Sequence, residues 1–164
     1  MQVVLTKKQI DQKITRLAYE ILENAHEEKR IYLAGICGSG IRIAQAIQKI
    51  LMPLTASEIV VFEITVNKVE PLKHPITASI DLAAIENQYV VLIDDVLNSG
   101  KTMQYALTTL LDHPLKAIKT LALVDRHHHR FPIKTDYTGI LLSTTLKDRV
   151  EIDFSDENYQ AVLV

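Results

Sequence analysis

The sequence predicts an α/β domain with a central, mostly parallel sheet flanked by helices. Short, continuous apolar runs such as residues 89–93 are typical of strands covered on both faces. Between these runs, apolar residues recur at helical spacing, and strands that alternate with helices favour right-handed crossovers in one sheet. The chain has 164 residues, which suits one compact domain, so we expect a single domain over residues 1–164.

The first predicted helix follows Thr6. Thr6 and Gln9 have the spacing of a capping box, in which a hydroxyl and an amide satisfy free backbone groups at the helix start. Apolar residues then recur every three or four positions, which predicts an amphipathic helix. These residues are Ile10, Ile14, Leu17, Ala18, Ile21, Leu22 and Ala25.

A strand, a glycine turn and a second helix are predicted next. Residues 31–34 form a short apolar run, which continues into a turn over residues 35–40 that contains three of the glycines. Helical spacing resumes over residues 41–51. Residues 58–66 are rich in β-branched side chains and predict another strand. Residues 67–79 include Pro71 and Pro75, which predicts a long, mobile loop.

The second half continues the alternation. Residues 89–93 predict a central parallel strand, residues 101–112 a helix with one apolar side, and residues 117–124 another buried strand. The C-terminal part predicts short strands joined by turns. These strands span residues 137–142, 150–154 and 159–164.

Composition excludes several classes of protein. The net charge is −2 and 48% of residues are hydrophobic, so neither a disordered chain nor a globally basic nucleic-acid binder is indicated. Cys37 is the only cysteine, so no internal disulfide can form and a reducing compartment fits. The N-terminus turns polar after five residues, and no apolar run approaches the ~20 residues that span a bilayer. We therefore expect a cytoplasmic protein that contacts no membrane.

Residues 90–102, VVLIDDVLNSGKT, carry the strongest chemical signal. The predicted strand ends in Asp94 and Asp95, whose carboxylates can accept hydrogen bonds from the vicinal hydroxyls of a ribose. The loop that follows opens into a helix, and its backbone N–H groups can surround a phosphate at the positive end of the helix dipole. A diol site beside a phosphate site predicts the binding of ribose 5-phosphate.

Two competing phosphate motifs fail on residue identity. A Walker A loop needs glycine where the chain has Asp95, and a dinucleotide fingerprint that begins at Gly38 needs glycine or alanine where the chain has Ile43. Either half of the 90–102 segment alone is typical of an ordinary strand end or turn. Four apolar residues, two acids and a small polar loop in register are far more specific.

The 90–102 segment resembles the phosphoribosyl-pyrophosphate motif of type I phosphoribosyltransferases. Most of the chain is similar to the PyrR type, the pyrimidine-operon attenuation regulators with uracil phosphoribosyltransferase activity. The resemblance implies the type I fold, with a small hood and a long flexible loop. The matching stretches are residues 16–22 (RLAYEIL), the turn after residue 36, and residues 63–65 (EIT), 90–102, 123–126 (LVDR), 129–133 (HRFPI), 136–139 (DYTG) and 148–151 (DRVE).

The resemblance also implies a reaction and a set of roles. Ribose 5-phosphate passes from phosphoribosyl pyrophosphate (PRPP) to a nucleobase, with uracil as the leading acceptor, and Mg²⁺ is held mainly through PRPP rather than by side chains directly. Asp94, Asp95 and Lys68 are the implied catalytic residues, and the implied assembly is a dimer or a higher homo-oligomer. The residues implied to bind the ribose and the 5′-phosphate are Asp94, Asp95, Asn98, Ser99, Gly100, Lys101 and Thr102.

The remaining implied positions differ from the family pattern. The pyrophosphate loop, formed by Cys37, Gly38, Ser39 and Gly40, has no cation where the family carries basic side chains. Lys68 stands where the family has an arginine, and Asn98 stands where PyrR-type proteins have tyrosine and some purine transferases have an acidic general base. The implied hood residues, which would face the base, are Asp125 and Arg126.

Two features leave alternatives open. Cys37 lies in a strand–turn–helix unit that resembles the turn presenting a nucleophilic cysteine in some amidases, but a small residue filling a tight turn is the favoured explanation, since no histidine–acid partner is evident in the sequence. Residues 126–130 and Lys134 form a basic cluster that is either a solvated loop or a face for RNA. The alternative function is therefore an RNA-binding attenuation regulator that senses nucleotides with little or no turnover.

Overall fold

The computed structural model describes residues 1–143, 145 and 148–164. Its main sheet has six strands in the order β4-β3-β2-β5-β6-β7, all parallel except β4. These strands are β2 (Arg30–Ile36), β3 (Glu58–Thr65), β4 (Thr77–Ala78), β5 (Tyr89–Leu97), β6 (Ala117–Asp125) and β7 (Tyr137–Leu141). The predicted α/β class with a mostly parallel central sheet is confirmed.

Three helices cover the two faces of this sheet, because successive side chains of each buried strand point to opposite sides. On one face, α1 (Lys7–Ala25) and α2 (Ser39–Leu51) pack on Val91 and Ile93. On the other face, α3 (Lys101–Leu110) packs on Val90 and Leu92. The unbroken apolar run of β5 follows from this burial on both faces.

A second, three-stranded antiparallel sheet joins the two ends of the chain. Its order is β1-β9-β8, formed by β1 (Gln2–Leu5), β8 (Val150–Ile152) and β9 (Ala161–Leu163). Val150, Ile152 and Ala161 are buried in the same core as α1 and α2. Ser39 Oγ donates a hydrogen bond of 3.3 Å to the carbonyl of Ile152, so this small sheet touches the start of α2.

Several local predictions are confirmed and others are corrected. Thr6 and Gln9 form the capping box at the start of α1. The region predicted as a loop over residues 67–79 ends in β4, which pairs antiparallel with β3, and a short 3₁₀ helix (Leu82–Ile85) follows. β1 was not predicted, since it is short and its partner lies at the opposite end of the sequence. No helix among the described residues is long and apolar enough to cross a membrane.

Candidate functional site

β5 delivers the two acidic residues to the carboxyl edge of the main sheet. It is hydrogen-bonded to β2 on one side and β6 on the other, with Ile93 opposite Gly35 and Asp94 opposite Ala122. Ligands of open parallel sheets bind beyond this edge, where loops lead into helices. Asp94 is only 5% exposed, so the fold accepts the cost of burying a carboxyl group at this point.

Backbone N–H groups hold one oxygen of each carboxylate. Asp94 Oδ1 accepts from the N–H of Asp95 at 2.9 Å, and Asp95 Oδ1 accepts from the N–H of Val96 at 2.7 Å. Burial raises the pKa of Asp94 well above its usual range, the neighbouring charge of Asp95 raises it further, and the Lys68 ammonium opposes both effects. The two carboxylates are therefore held in fixed orientations, and their negative charge is only partly balanced. A site that binds hydroxyls or a cation requires both properties.

The loop between β5 and α3 has the geometry of an anion site. Gly100 has φ +83°, a left-handed conformation that glycine adopts without strain, and it immediately precedes α3. Gly100, at the N-cap position, has no side chain, and Ser99 Oγ accepts from the N–H of Lys101 at 3.2 Å. The other N–H groups in the first turn of α3 are left for an anion at the positive end of the helix dipole.

The loop after β6 supports this anion site from behind. The Ser99 carbonyl accepts hydrogen bonds from the N–H groups of Arg130 and Phe131 at 2.9 and 3.1 Å. A Cβ on Gly100 would lie 2.5 Å from Ile133 Cγ2, so this position has no room for a larger residue. The loop between β5 and α3, the phosphate-type loop, is consequently held in one conformation by its neighbours.

One cavity of about 450 Å³ brings most of the predicted site residues together. It extends from Asp94 and Asp95, the acidic pair, to the start of α3 and across to β8. The predicted residues that line it are Gly38, Ser39, Lys68, Asp94, Asp95, Asn98, Ser99, Gly100, Lys101 and Thr102. The predicted residues that do not line it are Cys37, Gly40, Asp125 and Arg126.

Lys68 brings a positive charge to the glycine turn. Gly38 has φ +92°, and the Lys68 Nζ lies 4.0 Å from the place that a Cβ on Gly38 would occupy. Lys101 Nζ donates to the carbonyl of Val69 at 3.1 Å, which ties the segment after β3 to the start of α3. The turn itself has no cation, but a lysine from this neighbouring segment stands over it.

Gly40 and Cys37 have structural positions beside the cavity. A Cβ on Gly40 would lie 2.6 Å from the carbonyl oxygen of Ile93 and 3.2 Å from the Cα of Asp94, so glycine is what allows α2 to begin against β5. The Cys37 thiol donates to the carbonyl of Val66 at 3.8 Å. In the described chain no histidine lines the cavity, so nothing there matches the cysteine–histidine arrangement of an amidase.

Replacing Gly40 with alanine is expected to destabilise the protein and to displace Asp94. The added methyl group meets backbone atoms of β5, which cannot rotate away, and such overpacking costs roughly 1–3 kcal/mol. Thermal unfolding of Gly40→Ala beside Gln45→Ala, a change on the exposed side of α2, measures the effect. Equal melting temperatures for the two variants would contradict the close packing inferred for Gly40.

Asp125 and Arg126, the predicted hood residues, hold the loop after β6. Asp125 accepts from the N–H of His127 at 3.0 Å, from His129 Nε2 at 2.7 Å and from Thr135 Oγ1 at 3.1 Å. It lines a separate surface cavity together with His127 and His129. Arg126 reaches the main cavity indirectly, through a hydrogen bond from its Nη1 to Asn98 Oδ1 at 3.0 Å.

The three histidines of residues 127–129 have different surroundings. His127 and His128 are exposed, with ring centroids 5.4 Å apart, whereas His129 is held by Asp125. Across residues 1–143, 145 and 148–164, no three His, Cys, Asp or Glu side chains are grouped to hold a metal ion.

The wall formed by β8 and the residue before it was not predicted from the sequence. Arg149, Val150, Glu151 and Ile152 all line the cavity. Val150 and Ile152 are buried whereas Arg149 and Glu151 are exposed, as the alternation of a strand predicts. This alternation could be predicted from the sequence of the strand. The position of β8 over the glycine turn depends on the long-range contact between Ser39 and Ile152.

Comparisons with known proteins agree with this geometry. Residues 3–156 match the family model described as "Phosphoribosyl transferase domain". The chain is 35% identical over 150 residues to the "Bifunctional protein PyrR" of Streptococcus gordonii, which covers 90% of this chain and 87% of that protein. It is 33% identical over 170 residues to the protein of the same name from Haemophilus ducreyi, covering 98% of this chain and 93% of that protein.

Solved structures show the same fold. A hypoxanthine-guanine phosphoribosyltransferase from Bacillus anthracis aligns with a TM-score of 0.77 and 16% identity, over 100% of this chain and 98% of that chain. The hypoxanthine phosphoribosyltransferase of Trypanosoma cruzi aligns with a TM-score of 0.76 and 17% identity, over 99% and 95% of the respective chains. The predicted type I phosphoribosyltransferase fold is thereby confirmed.

Proposed function

The chain belongs to the phosphoribosyl transferase family, and from this premise we propose that it transfers ribose 5-phosphate from PRPP to a nucleobase and releases pyrophosphate. Uracil is the leading acceptor, because the PyrR-type proteins that the sequence resembles have uracil phosphoribosyltransferase activity. The proposal includes the single domain and the cytoplasmic location expected from the sequence, and the homo-oligomeric assembly that the resemblance implies.

The observation that carries the proposal is the arrangement of three different groups around one cavity. The acidic pair suits the vicinal hydroxyls of a ribose, and the start of α3 suits its 5′-phosphate. Lys68, over the glycine turn, suits the pyrophosphate. A volume of about 450 Å³ is within the usual range for small-molecule sites.

The proposed mechanism relies on positioning and electrostatics. As the bond between C1 and the pyrophosphate oxygen lengthens, positive charge develops on the ribose and negative charge on the leaving group. Asp94 and Asp95 hold the hydroxyls and lie beside the developing positive charge, while the Lys68 ammonium stabilises the departing pyrophosphate. The start of α3 fixes the 5′-phosphate, so the sugar stays aligned with the attacking base.

The site residues fit Mg²⁺. Carboxylate oxygens are the kind of ligand that this ion prefers. Burial and a neighbouring charge raise the pKa of Asp94, and a cation would offset both effects. As the resemblance implies, Mg²⁺ would be held mainly through PRPP, and Asp94 and Asp95 would supply negative charge beside it. When bound, Mg²⁺ offsets the charge of the leaving pyrophosphate.

Regulation through RNA is the second candidate. The loop after β6 exposes His127, His128, Arg130 and Lys134, and relatives at about 35% identity are named "Bifunctional protein PyrR". In the regulator alternative, nucleotides bind in the cavity and RNA binds elsewhere, with little or no turnover.

Turnover with a panel of bases separates the two candidates. The protein with PRPP and Mg²⁺ is expected to release pyrophosphate in the presence of a base, fastest with uracil. RNA binding is measured in parallel over a range of salt concentrations, because phosphate contacts give a steep salt dependence. Steep salt-dependent RNA binding without any base-dependent pyrophosphate release would overturn the enzyme proposal and favour the regulator.

A further inference from the structure

We propose that the Glu151 carboxylate weakens the binding of bare pyrophosphate groups, so that the cavity selects pyrophosphate whose negative charge a divalent cation has reduced. The inference rests on the proposed transfer reaction and deepens it, because it names a residue that determines which charge state of the substrate binds. Glu151 belongs to the wall of the cavity, and no bond-making or bond-breaking step is assigned to it.

The position of β8 brings Glu151 to the pyrophosphate end of the cavity. Val150 and Ile152 are buried in the core with α1 and α2, so the side chains that alternate with them, those of Arg149 and Glu151, point away from that core. Ser39 Oγ donates to the carbonyl of Ile152 at 3.3 Å, which holds β8 against the glycine turn. Glu151 therefore lines the cavity on the same side as this turn.

The charge of Glu151 is not balanced by a partner in the part of the chain that the structure describes. Its side chain makes no hydrogen bond and no ion pair there, and this includes Arg149, two residues away on the same face of the strand. Asp94 and Asp95, by contrast, each accept a hydrogen bond from a backbone N–H. Because Glu151 is exposed and carries a negative charge at neutral pH, it acts on any anion that enters this end of the cavity.

The cations at this end are too few for a bare pyrophosphate. The glycine turn has none, so the positive charges come from Lys68 and Arg149, and Glu151 cancels the contribution of one of them. A pyrophosphate carries several negative charges on adjacent oxygens, and charge-assisted hydrogen bonds are the strong ones for such a group. The 5′-phosphate does not share this problem, since backbone N–H groups at the start of α3 are available to it.

The penalty from Glu151 depends on how much charge the pyrophosphate brings. Pyrophosphate that carries Mg²⁺ presents less negative charge to the carboxylate than the free anion does. Glu151 therefore disfavours the free anion more strongly than the magnesium complex. The wild-type cavity is expected to bind free pyrophosphate weakly and to gain affinity steeply when Mg²⁺ is added.

Removing the charge tests the inference. Glu151→Gln keeps the shape of the side chain, and it is expected to bind pyrophosphate and PRPP about 10-fold more tightly than the wild type in magnesium-free buffer at low salt. With saturating Mg²⁺ the gain should fall to about 2-fold, because the complex has less charge to repel. Glu151→Lys, which replaces the negative charge with a positive one, should extend the same trend. Isothermal titration calorimetry measures these affinities.

Uridine 5′-monophosphate provides an internal reference. It contains the ribose and the 5′-phosphate but no pyrophosphate group, so its affinity is expected to be the same in the wild type and in Glu151→Gln. The ratio of the two affinities therefore reports on the pyrophosphate end of the cavity alone. Glu157→Gln, the same change at an exposed position outside the cavity, is the matched control and should leave both affinities unchanged.

Salt separates an electrostatic effect from a structural one. Glu151 is exposed, so dissolved ions screen its charge, and the Debye length falls to about 3 Å at 1 M salt. The advantage of Glu151→Gln over the wild type should therefore shrink as the salt concentration rises. An advantage that stays constant would indicate a change in the shape of the cavity and would contradict the inference.

The outcomes distinguish the inference from the function on which it rests. If neither PRPP with Mg²⁺ nor uridine 5′-monophosphate raises the melting temperature of the wild type, the proposed function fails, and the titrations with pyrophosphate still decide the role of Glu151. The inference is wrong if Glu151→Gln and the wild type bind pyrophosphate equally, or if pyrophosphate binds to neither of them nor to Glu151→Lys. Weaker binding by Glu151→Gln in the presence of Mg²⁺ would show that the carboxylate holds the ion, which would also overturn it.

Discussion

Replacing both Asp94 and Asp95 with asparagine is expected to abolish PRPP binding and to leave the chain folded, with a higher melting temperature at neutral pH. The carboxylates are the only acidic side chains on the β5 edge of the cavity within the described residues, and amides are poor substitutes as acceptors for two ribose hydroxyls and a cation. The loss of affinity should exceed 100-fold, since each charged hydrogen bond contributes roughly 1.5–3 kcal/mol.

The gain in stability follows from the raised pKa of Asp94. Burial and the Asp95 charge raise this pKa above the value in the unfolded chain. The folded state therefore holds its proton more tightly, and the free energy of unfolding decreases as the pH rises from the unfolded pKa through the folded one. The double variant has no Asp94 carboxyl group and so does not lose this free energy of unfolding. It should therefore be more stable than the wild type at neutral pH, and the difference should disappear in acid.

Melting curves between pH 4 and pH 8, with and without PRPP and Mg²⁺, measure both effects. The control replaces two exposed acids, Asp112→Asn and Glu157→Gln, which changes the net charge equally without touching the cavity. The control should keep PRPP-dependent stabilisation. If the double variant at 94 and 95 keeps it as well, the assignment of the ribose to the acidic pair is wrong.

Lys68→Met is expected to lower kcat/KM for PRPP by about 10²–10³-fold, the usual cost of removing one group that stabilises charge in a transition state. Lys68 is the cation beside the position of Gly38, in a glycine turn that has no cation of its own. Lys68→Arg should keep most of the activity because the positive charge stays in place.

A lysine from the same segment provides the control. Lys73 is exposed, pairs with Glu70 at 2.7 Å and does not line the cavity, so Lys73→Met should keep wild-type kinetics. Adding a basic residue to the turn of the Lys68→Met variant, as Ser39→Arg, should recover part of the lost turnover. Equal kinetics for Lys68→Met and Lys73→Met would show that the cation over the turn does not limit the reaction.

The part of the site on β5 could be predicted from the sequence because its determinants are local. Strand, acidic pair, loop and helix follow one another within residues 90–102, so these parts of the site are consecutive in the sequence. The capping box at Thr6 and the buried strands were predictable for the same reason.

The remaining part depends on contacts between distant residues. Nothing near Arg149 in the sequence indicates that β8 will face the glycine turn, because that position is set by the pairing with β9 and by the contact with Ser39. The resemblance implies a place for Asp125 in the hood, and the structure adds three hydrogen-bond donors to it from its own loop. Such partners cannot be read from spacing alone.

The small sheet also has a consequence for how the protein is made. β8 pairs with β9, which pairs with β1, so one wall of the cavity joins segments from opposite ends of the sequence. On the ribosome, chains emerge at about 5–20 residues per second. Residues 149–163 follow the acidic pair and the phosphate-type loop in the sequence, so the wall of Arg149 and Glu151 is the last part of the cavity to be synthesised.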